Sequence, residues 1–333
     1  MLNLPLELPS FYWTQTKTAV DLKVKDWIDQ RLPNSGESLL EKQWDIVLLG
    51  APLSRSSISA SAASEFPEHF RKSWKGFGTY NIETDQDLRD LRVLDLGDVE
   101  MHVTDINRCH SNIKTVMNGI SKRFSNSLIF TIGGDHSITS MLVSGLKEAE
   151  PSKKIGILQF DTHLDLRDLK DQGPSNGTPI RNVIESGIIE GENVYNIGLH
   201  GFFNGPSLIS YAKEQRVNYI TLKQARKKGI IETVQKALEE IESKVDSIYV
   251  TIDMDVLDIS YAPGVPASTP GGMRTDELFD AVYTAGMSSK IRAVDIVCLD
   301  PNRDLAAQPT VKAGVHTFLS FLSGHMNQKV KKL

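Results

Sequence analysis

Cysteine is almost missing from this chain: only Cys109 and Cys298 occur in 333 residues. A disulfide scaffold needs more, so the sequence points to a fold held by its core in a reducing compartment. Long apolar runs are missing too, and none approaches the roughly 20 residues that a membrane-spanning helix needs. Residues 1–9 have neither a basic start nor a continuous apolar centre, so no secretory leader is expected. Neither sign of charge dominates, since 37 Lys and Arg against 42 Asp and Glu leave −5. The basic residues are dispersed, and the short tail of Lys329, Lys331 and Lys332 reads as a solvated terminus. These absences give no electrostatic footprint for nucleic acid. The expectation is a soluble, cytoplasmic protein with neither a nucleic-acid nor a membrane partner.

What is present is ordinary globular composition, with 40% apolar and 24% charged residues. The length suffices for one large α/β domain or two smaller ones. Residues 1–43 set Trp13 and Trp27 among polar neighbours, with helical spacing over residues 20–32, and read as an N-terminal extension packed on a main domain. Residues 44–333 read as one domain, without repeat, linker or low-complexity tract. Buried strands are expected at 44–50, 92–96, 127–132, 154–160, 193–199, 217–221, 247–252 and 291–297. Helices are expected at 105–124, 138–148, 206–214, 230–243, 275–287 and 306–322. The Ser- and Ala-rich stretch 51–66 is a long loop, and loops of that length are usually functional. Short apolar strands alternating with helices imply an α/β fold with a mostly parallel sheet covered on both faces. In such sheets ligands bind beyond the carboxyl ends of the strands.

Chemistry-bearing residues gather at three of those ends. Asp161-Thr162-His163-Leu164-Asp165 follows the strand at 154–160. Its three polar residues alternate, so in an extended backbone two carboxylates and an imidazole share a face. His136 follows another strand in Gly133-Gly134-Asp135-His136-Ser137, where the glycines are expected to permit a tight turn. Asp253-Met254-Asp255 ends a third. Four carboxylates together repel one another unless cations neutralise them, and two divalent ions balance four negative charges. Oxygen-rich donors with two imidazoles and no thiolate favour Mn²⁺ or a similar hard ion. Two such ions would activate a water for hydrolysis. The candidate metal ligands are therefore His136, Asp161, His163, Asp165, Asp253 and Asp255. His69, His102, His110, His316 and His325 lack a partner motif and read as surface or core residues, and His200 reads as a rim or structural group.

At these motifs the chain resembles the ureohydrolase (arginase/agmatinase) superfamily, over roughly residues 44–322. The resemblance implies a three-layer α/β/α sandwich, two Mn²⁺ ions, and assembly into trimers or hexamers. Arginases and agmatinases carry a His before the glycine of the next motif. Here that position is Asn176, in Gly173-Pro174-Ser175-Asn176-Gly177-Thr178-Pro179-Ile180-Arg181. This pattern is similar to the formimidoylglutamase branch, as are Pro52-Leu53-Ser54-Arg55-Ser56-Ser57-Ile58-Ser59 and Ser260-Tyr261-Ala262-Pro263-Gly264-Val265-Pro266-Ala267. One departure stands out: Cys298 occupies a position where the family usually has a Glu that holds the cationic substrate group. Asp300 lies two residues on and is a candidate substitute.

The resemblance implies hydrolysis of an amidine C–N bond, foremost that of N-formimidoyl-L-glutamate to L-glutamate and formamide in histidine degradation. Asp165 is the candidate proton shuttle. Asn176, Thr178, Arg181, Arg55, Cys298 and Asp300 are the candidate substrate contacts, the two arginines because their forked donors suit carboxylates. An agmatinase-like or other guanidino hydrolase is the rival enzyme. A metal-binding homologue with little catalysis is the rival of another class.

Overall fold

The computed structural model of the chain describes residues 4–16, 20–33 and 38–330; Lys331 and Lys332 of the basic tail lie outside the described residues, as do residues 1–3. The sheet is built from β1 (Leu6–Glu7), β2 (Asp29–Gln30), β3 (Ile46–Ala51), β4 (Val93–Val99), β5 (Leu128–Gly133), β6 (Ile155–Phe160), β7 (Val194–Leu199), β8 (Asn218–Thr221), β9 (Ser247–Asp253) and β10 (Ile291–Val297). Their spatial order is β1-β4-β3-β5-β10-β9-β6-β7-β8, with β2 also on β4. Every pairing is parallel except that of β1 with β4.

Two helical layers cover the sheet. Ile106–Arg123, Ser137–Ala149 and Pro179–Glu185 pack together, while Phe66–Ser73, Ile230–Glu242, Thr275–Gly286 and Pro309–Val330 form the other group. The result is a three-layer α/β/α sandwich. Because both faces are covered, β3, β5, β6 and β9 are buried along their whole length and show no polar alternation. Phe66, Phe70, Phe130, Phe318 and Phe321 fill the space under one layer with edge-on ring contacts. No helix among the described residues is long and apolar enough to cross a membrane.

Two expectations need correction. The helical spacing over residues 20–32 yields a single turn, Val24–Trp27, after which the chain extends into β2. The Trp27 indole donates to the Leu91 carbonyl and Gln30 donates to Asp95, so tertiary contacts override the local pattern. The last helix runs on to Val330 rather than stopping near residue 322. Gly324 lets it continue: a Cβ there would fall 2.0 Å from the Tyr283 carbonyl oxygen, so the glycine is a close-packing point between two helices, not a terminator. The Gly133-Gly134 pair ends β5 at a bend, as expected, with neither glycine at positive φ. It gives close approach, with a Cβ on Gly134 falling 1.7 Å from the Leu53 carbonyl oxygen.

The N-terminal segment meets the sheet through a buried charge cluster. Arg71 bridges Asp95 (2.8 Å) and Asp98 (2.7 Å), and Ser10 and Gln30 add hydrogen bonds to the same carboxylates. Breaking one member of such a buried set costs about 3–5 kcal/mol, because it strands the remaining charge.

Candidate metal centre

Register places the site. Ile132, Ile296, Ile252 and Phe160 stand in one row across β5, β10, β9 and β6. Residues just past that row therefore emerge side by side from four adjacent strands. They are His136 after β5, Cys298 after β10, Asp253 and Asp255 at the end of β9, and Asp161, His163 and Asp165 after β6.

The donors form two groups that share one residue. His136, Asp161, Asp165 and Asp253 bring one ligand atom each within 4.8 Å of one another, and Asp161, His163 and Asp255 do the same. His136 Nδ1 lies 2.7 Å from Asp165 Oδ2 and 3.0 Å from Asp253 Oδ2. His163 Nδ1 lies 2.9 Å from Asp255 Oδ2. All but His163 are buried.

The hydrogen bonds around His136 decide what sits between these donors. Thr251 Oγ1 donates to Asp295 Oδ1 at 2.6 Å, so its oxygen is left to accept from His136 Nε2 at 2.9 Å. Asp295 is held in turn by Thr139 Oγ1 and Tyr249 Oη. This chain puts the proton on Nε2 and leaves the Nδ1 lone pair facing carboxylates. Among the described residues, His136 Nδ1 and Asp165 Oδ2 are both buried without a hydrogen-bond partner despite their 2.7 Å separation. A lone pair against a carboxylate is tolerated only with a positive charge between them. The donor set fits a metal ion on this ground.

Electrostatics agree. Burial, reinforced by Asp165, Asp255 and Asp253, pushes the Asp161 carboxyl well above its usual range. Burial and the neighbouring Asp255 push Asp253 up to about 6. Burial works against a charged His163, but Asp255 and Asp161 overcome it and push that imidazole up to about 12. Burial likewise opposes charge on His136, yet Asp165 and Asp253 hold it well above normal. The cluster demands cations, and protons on the imidazoles or metal ions between the donors are alternative ways to supply them.

Loop anchors hold the donors. Gln159 Nε2 donates to Asp161 Oδ2 at 2.6 Å. Asn204 accepts from the Leu164 amide and donates to the Thr162 carbonyl, and Asn196 donates to the His163 carbonyl. Asp135 accepts from the Ser56 and Ser137 amides, so this carboxylate ties the 51–66 loop to the site. Asp165 has φ +53 and Cys298 φ +65, two left-handed backbones on non-glycine residues at the centre itself.

The donors open into a cavity of about 150 Å³ lined by His163, Asp165, Asp253 and Asp255, together with Asn176 and Arg167. Of the proposed substrate contacts, Asn176 belongs to this lining, and its Oδ1 accepts from the Ile58 amide at 2.8 Å. The structure does not bring the others to it. Arg181 pairs with Asp168 and Glu185 and lies 4.3 Å over the Tyr211 ring, in an adjoining depression. Arg55 donates to the His102 carbonyl and the Cys109 thiol. The Thr178 hydroxyl accepts from the Ser175 amide and closes the turn that starts the next helix. Asp300 is buried, accepting from the Ala62 and Asn302 amides. The Cys298 thiol is within 4.8 Å of His136 and Asp253 ligand atoms. It flanks the donors and is absent from the cavity lining. His200 bridges Gly198, Thr162 and Thr269.

Sequence reading missed Arg167, Asn204 and Phe203, which also line the cavity. A signal existed for Arg167, which continues the alternation of Asp161, His163 and Asp165 by one further step. For Asn204 and Phe203 none did, because they come from the loop after β7 and arrive only by folding.

Known proteins resemble this chain in sequence and fold. The Arginase family profile matches residues 44–324. A formimidoylglutamase of Halalkalibacterium halodurans is 38% identical over 304 residues, 90% of this chain and 94% of that protein. The crystal structure of formimidoylglutamase from Bacillus subtilis superposes with a TM-score of 0.86 at 33% identity, covering 94% of this chain and 95% of that one. A Trypanosoma cruzi formiminoglutamase solved with Mn²⁺ shares the fold, with a TM-score of 0.80 at 23% identity, covering 92% of this chain and 98% of that one.

Proposed function

Because the chain belongs to the arginase family, we propose that it is a two-Mn²⁺ hydrolase converting N-formimidoyl-L-glutamate and water to L-glutamate and formamide. The observation that carries this reading is the pair of donor groups sharing Asp161 and opening into a small cavity with Asn176 in its lining. His136, Asp161, Asp165 and Asp253 would hold one ion, and Asp161, His163 and Asp255 the other. When bound, the ions supply positive charge and a water ionised near neutral pH.

The chain's own groups do the rest. Asp165 lines the cavity beside the other donors, which places its carboxylate to take the proton from the attacking water. Delivering that proton to the glutamate nitrogen lets the bond from the formimidoyl carbon to that nitrogen break. The Asn176 amide group contacts the substrate: its oxygen is held by the Ile58 amide, which leaves its NH₂ group as a donor. A neutral amide there, in place of an imidazole, suits an amidine bearing an acidic tail.

The test is a substrate panel with added Mn²⁺. Formamide release from N-formimidoyl-L-glutamate is expected to exceed urea release from agmatine or L-arginine by at least about a hundredfold, the span of a few kcal/mol in transition-state binding. Faster urea release would sink the proposal in favour of a guanidino hydrolase, and no turnover of any member would favour a metal-binding homologue. Residence in the cytoplasm and assembly into trimers or hexamers belong to the same proposal. A light-scattering mass of 37.0 kDa, that of the single chain, would exclude the assembly.

A further inference from the structure

Arg167 is the arginine of the cavity lining, and among the described residues it has no ion-pair or side-chain hydrogen-bond partner. Two other arginines behave otherwise. Arg181 is spent on Asp168 and Glu185, and Arg303 pairs with Asp300. Asp168, the acidic residue next to Arg167 in sequence, already faces Arg181 at 3.0 Å.

The position of Arg167 is also built. Its amide donates to the Gly177 carbonyl at 3.0 Å, tying two segments of the cavity together. Its side chain then lies across Gly177: a Cβ there would fall 2.7 Å from Arg167 Cδ and 3.1 Å from Nε. The glycine is thus the seat on which the arginine rests. Beside it, Asn176 is pinned through its amide, which donates to the Ser56 carbonyl, and through its Oδ1, leaving the Nδ2 group without a partner among the described residues.

We propose that Arg167, seated on Gly177 and joined by Asn176 Nδ2, binds a carboxylate of the glutamate moiety and so selects acidic amidines over cationic amines. This rests on the function proposed above. The charge logic is direct. The carboxylates of the cavity are committed to the metal ions, so an acidic substrate tail needs a separate cation, and a forked guanidinium suits it. The same charge repels an amine tail such as that of agmatine.

The test compares Mn²⁺-loaded wild type with Arg167→Gln, Arg167→Lys and Gly177→Ala. Substrates are N-formimidoyl-L-glutamate and N-propylformamidine, which has the reacting group without carboxylates. Arg167→Gln is expected to raise KM for the acidic substrate about 10- to 100-fold, the span of one charge-assisted hydrogen-bonded contact. The preference for it over N-propylformamidine should fall by the same factor, with kcat changing far less, as expected when binding common to ground and transition states is lost. Arg167→Lys should lie between, and Gly177→Ala should follow Arg167→Gln because it unseats the side chain. An unchanged preference overturns the proposal, as does an equal loss on both substrates. Calorimetric binding of L-glutamate separates this from the function itself: weaker binding by Arg167→Gln supports the clamp even without turnover, and equal binding rejects it.

Discussion

Replacing Asp253 by alanine is expected to leave a folded protein that binds fewer than two metal ions per chain and turns over substrate at least about a thousandfold more slowly. The magnitude follows from losing several kcal/mol of transition-state stabilisation at a dinuclear site, where each 1.36 kcal/mol is tenfold. Asp161→Ala should act at least as strongly, because Asp161 belongs to both donor groups. The fold should survive for an electrostatic reason. Burial and Asp255 raise the Asp253 carboxyl from its ordinary 3.8 to about 6, so the folded chain without metal binds a proton there more readily than the unfolded chain does. Its ionised form therefore subtracts stability as pH rises from about 4 through 6, and removing the carboxylate removes that penalty at neutral pH. What should vanish is the gain from metal, about 4 kcal/mol at a thousand times Kd. A milder member of the series is Thr251→Val, which cuts the link from His136 to Asp295 and should weaken metal binding about 10- to 100-fold with the ligands intact. Chelator titration, metal analysis and thermal melts with and without Mn²⁺ read all three. Full activity in metal-depleted wild type would overturn the dinuclear reading.

Gly134→Ala should be the most destructive single methyl in the site region. The added Cβ would sit 1.7 Å from the Leu53 carbonyl oxygen and 2.6 Å from its carbon, and both are backbone atoms that cannot rotate away. The same carbonyl accepts from the Asp135 amide at 2.7 Å, so relieving the clash breaks the bond that joins the 51–66 loop to the end of β5. A loss of more than about 4 kcal/mol is expected, in the range reserved for severe core disruption, with a melting temperature lower by at least about 6 °C or no folded product. Gly76→Ala is the control, because none of the described residues lies within 4 Å of its Cβ position; it should be neutral or slightly stabilising. Equal melting temperatures for the two variants would show that the loop yields where this packing says it cannot.

The candidate metal donors were legible because each lies at a strand's end or within five positions past it, where a parallel sheet must present its ligands. Asp161, His163 and Asp165 follow β6, His136 follows β5, and Asp253 and Asp255 close β9 in both readings. Strand positions were legible for a related reason, since strands buried on both faces leave continuous apolar runs. The one-turn helix at Val24–Trp27 was not, because its length is set by Leu91 and Asp95, far away in sequence.

Substrate contacts were the least legible part. Arg181 and Arg55 had the right chemistry, but Asp168, Glu185, Tyr211, His102 and Cys109 hold them elsewhere. Whether an arginine is free or spent depends on partners that no local pattern displays. The sequence by itself determined the parallel α/β sandwich and singled out the candidate donors, because periodicity and strand-end spacing are local properties of the chain. Only the tertiary structure decided that β5, β10, β9 and β6 are neighbours, that His136 offers Nδ1, and that Arg167 lines the cavity without an ion-pair partner among the described residues. Those facts depend on register, hydrogen-bond direction and the competition for each charge, all of which are settled when distant segments meet.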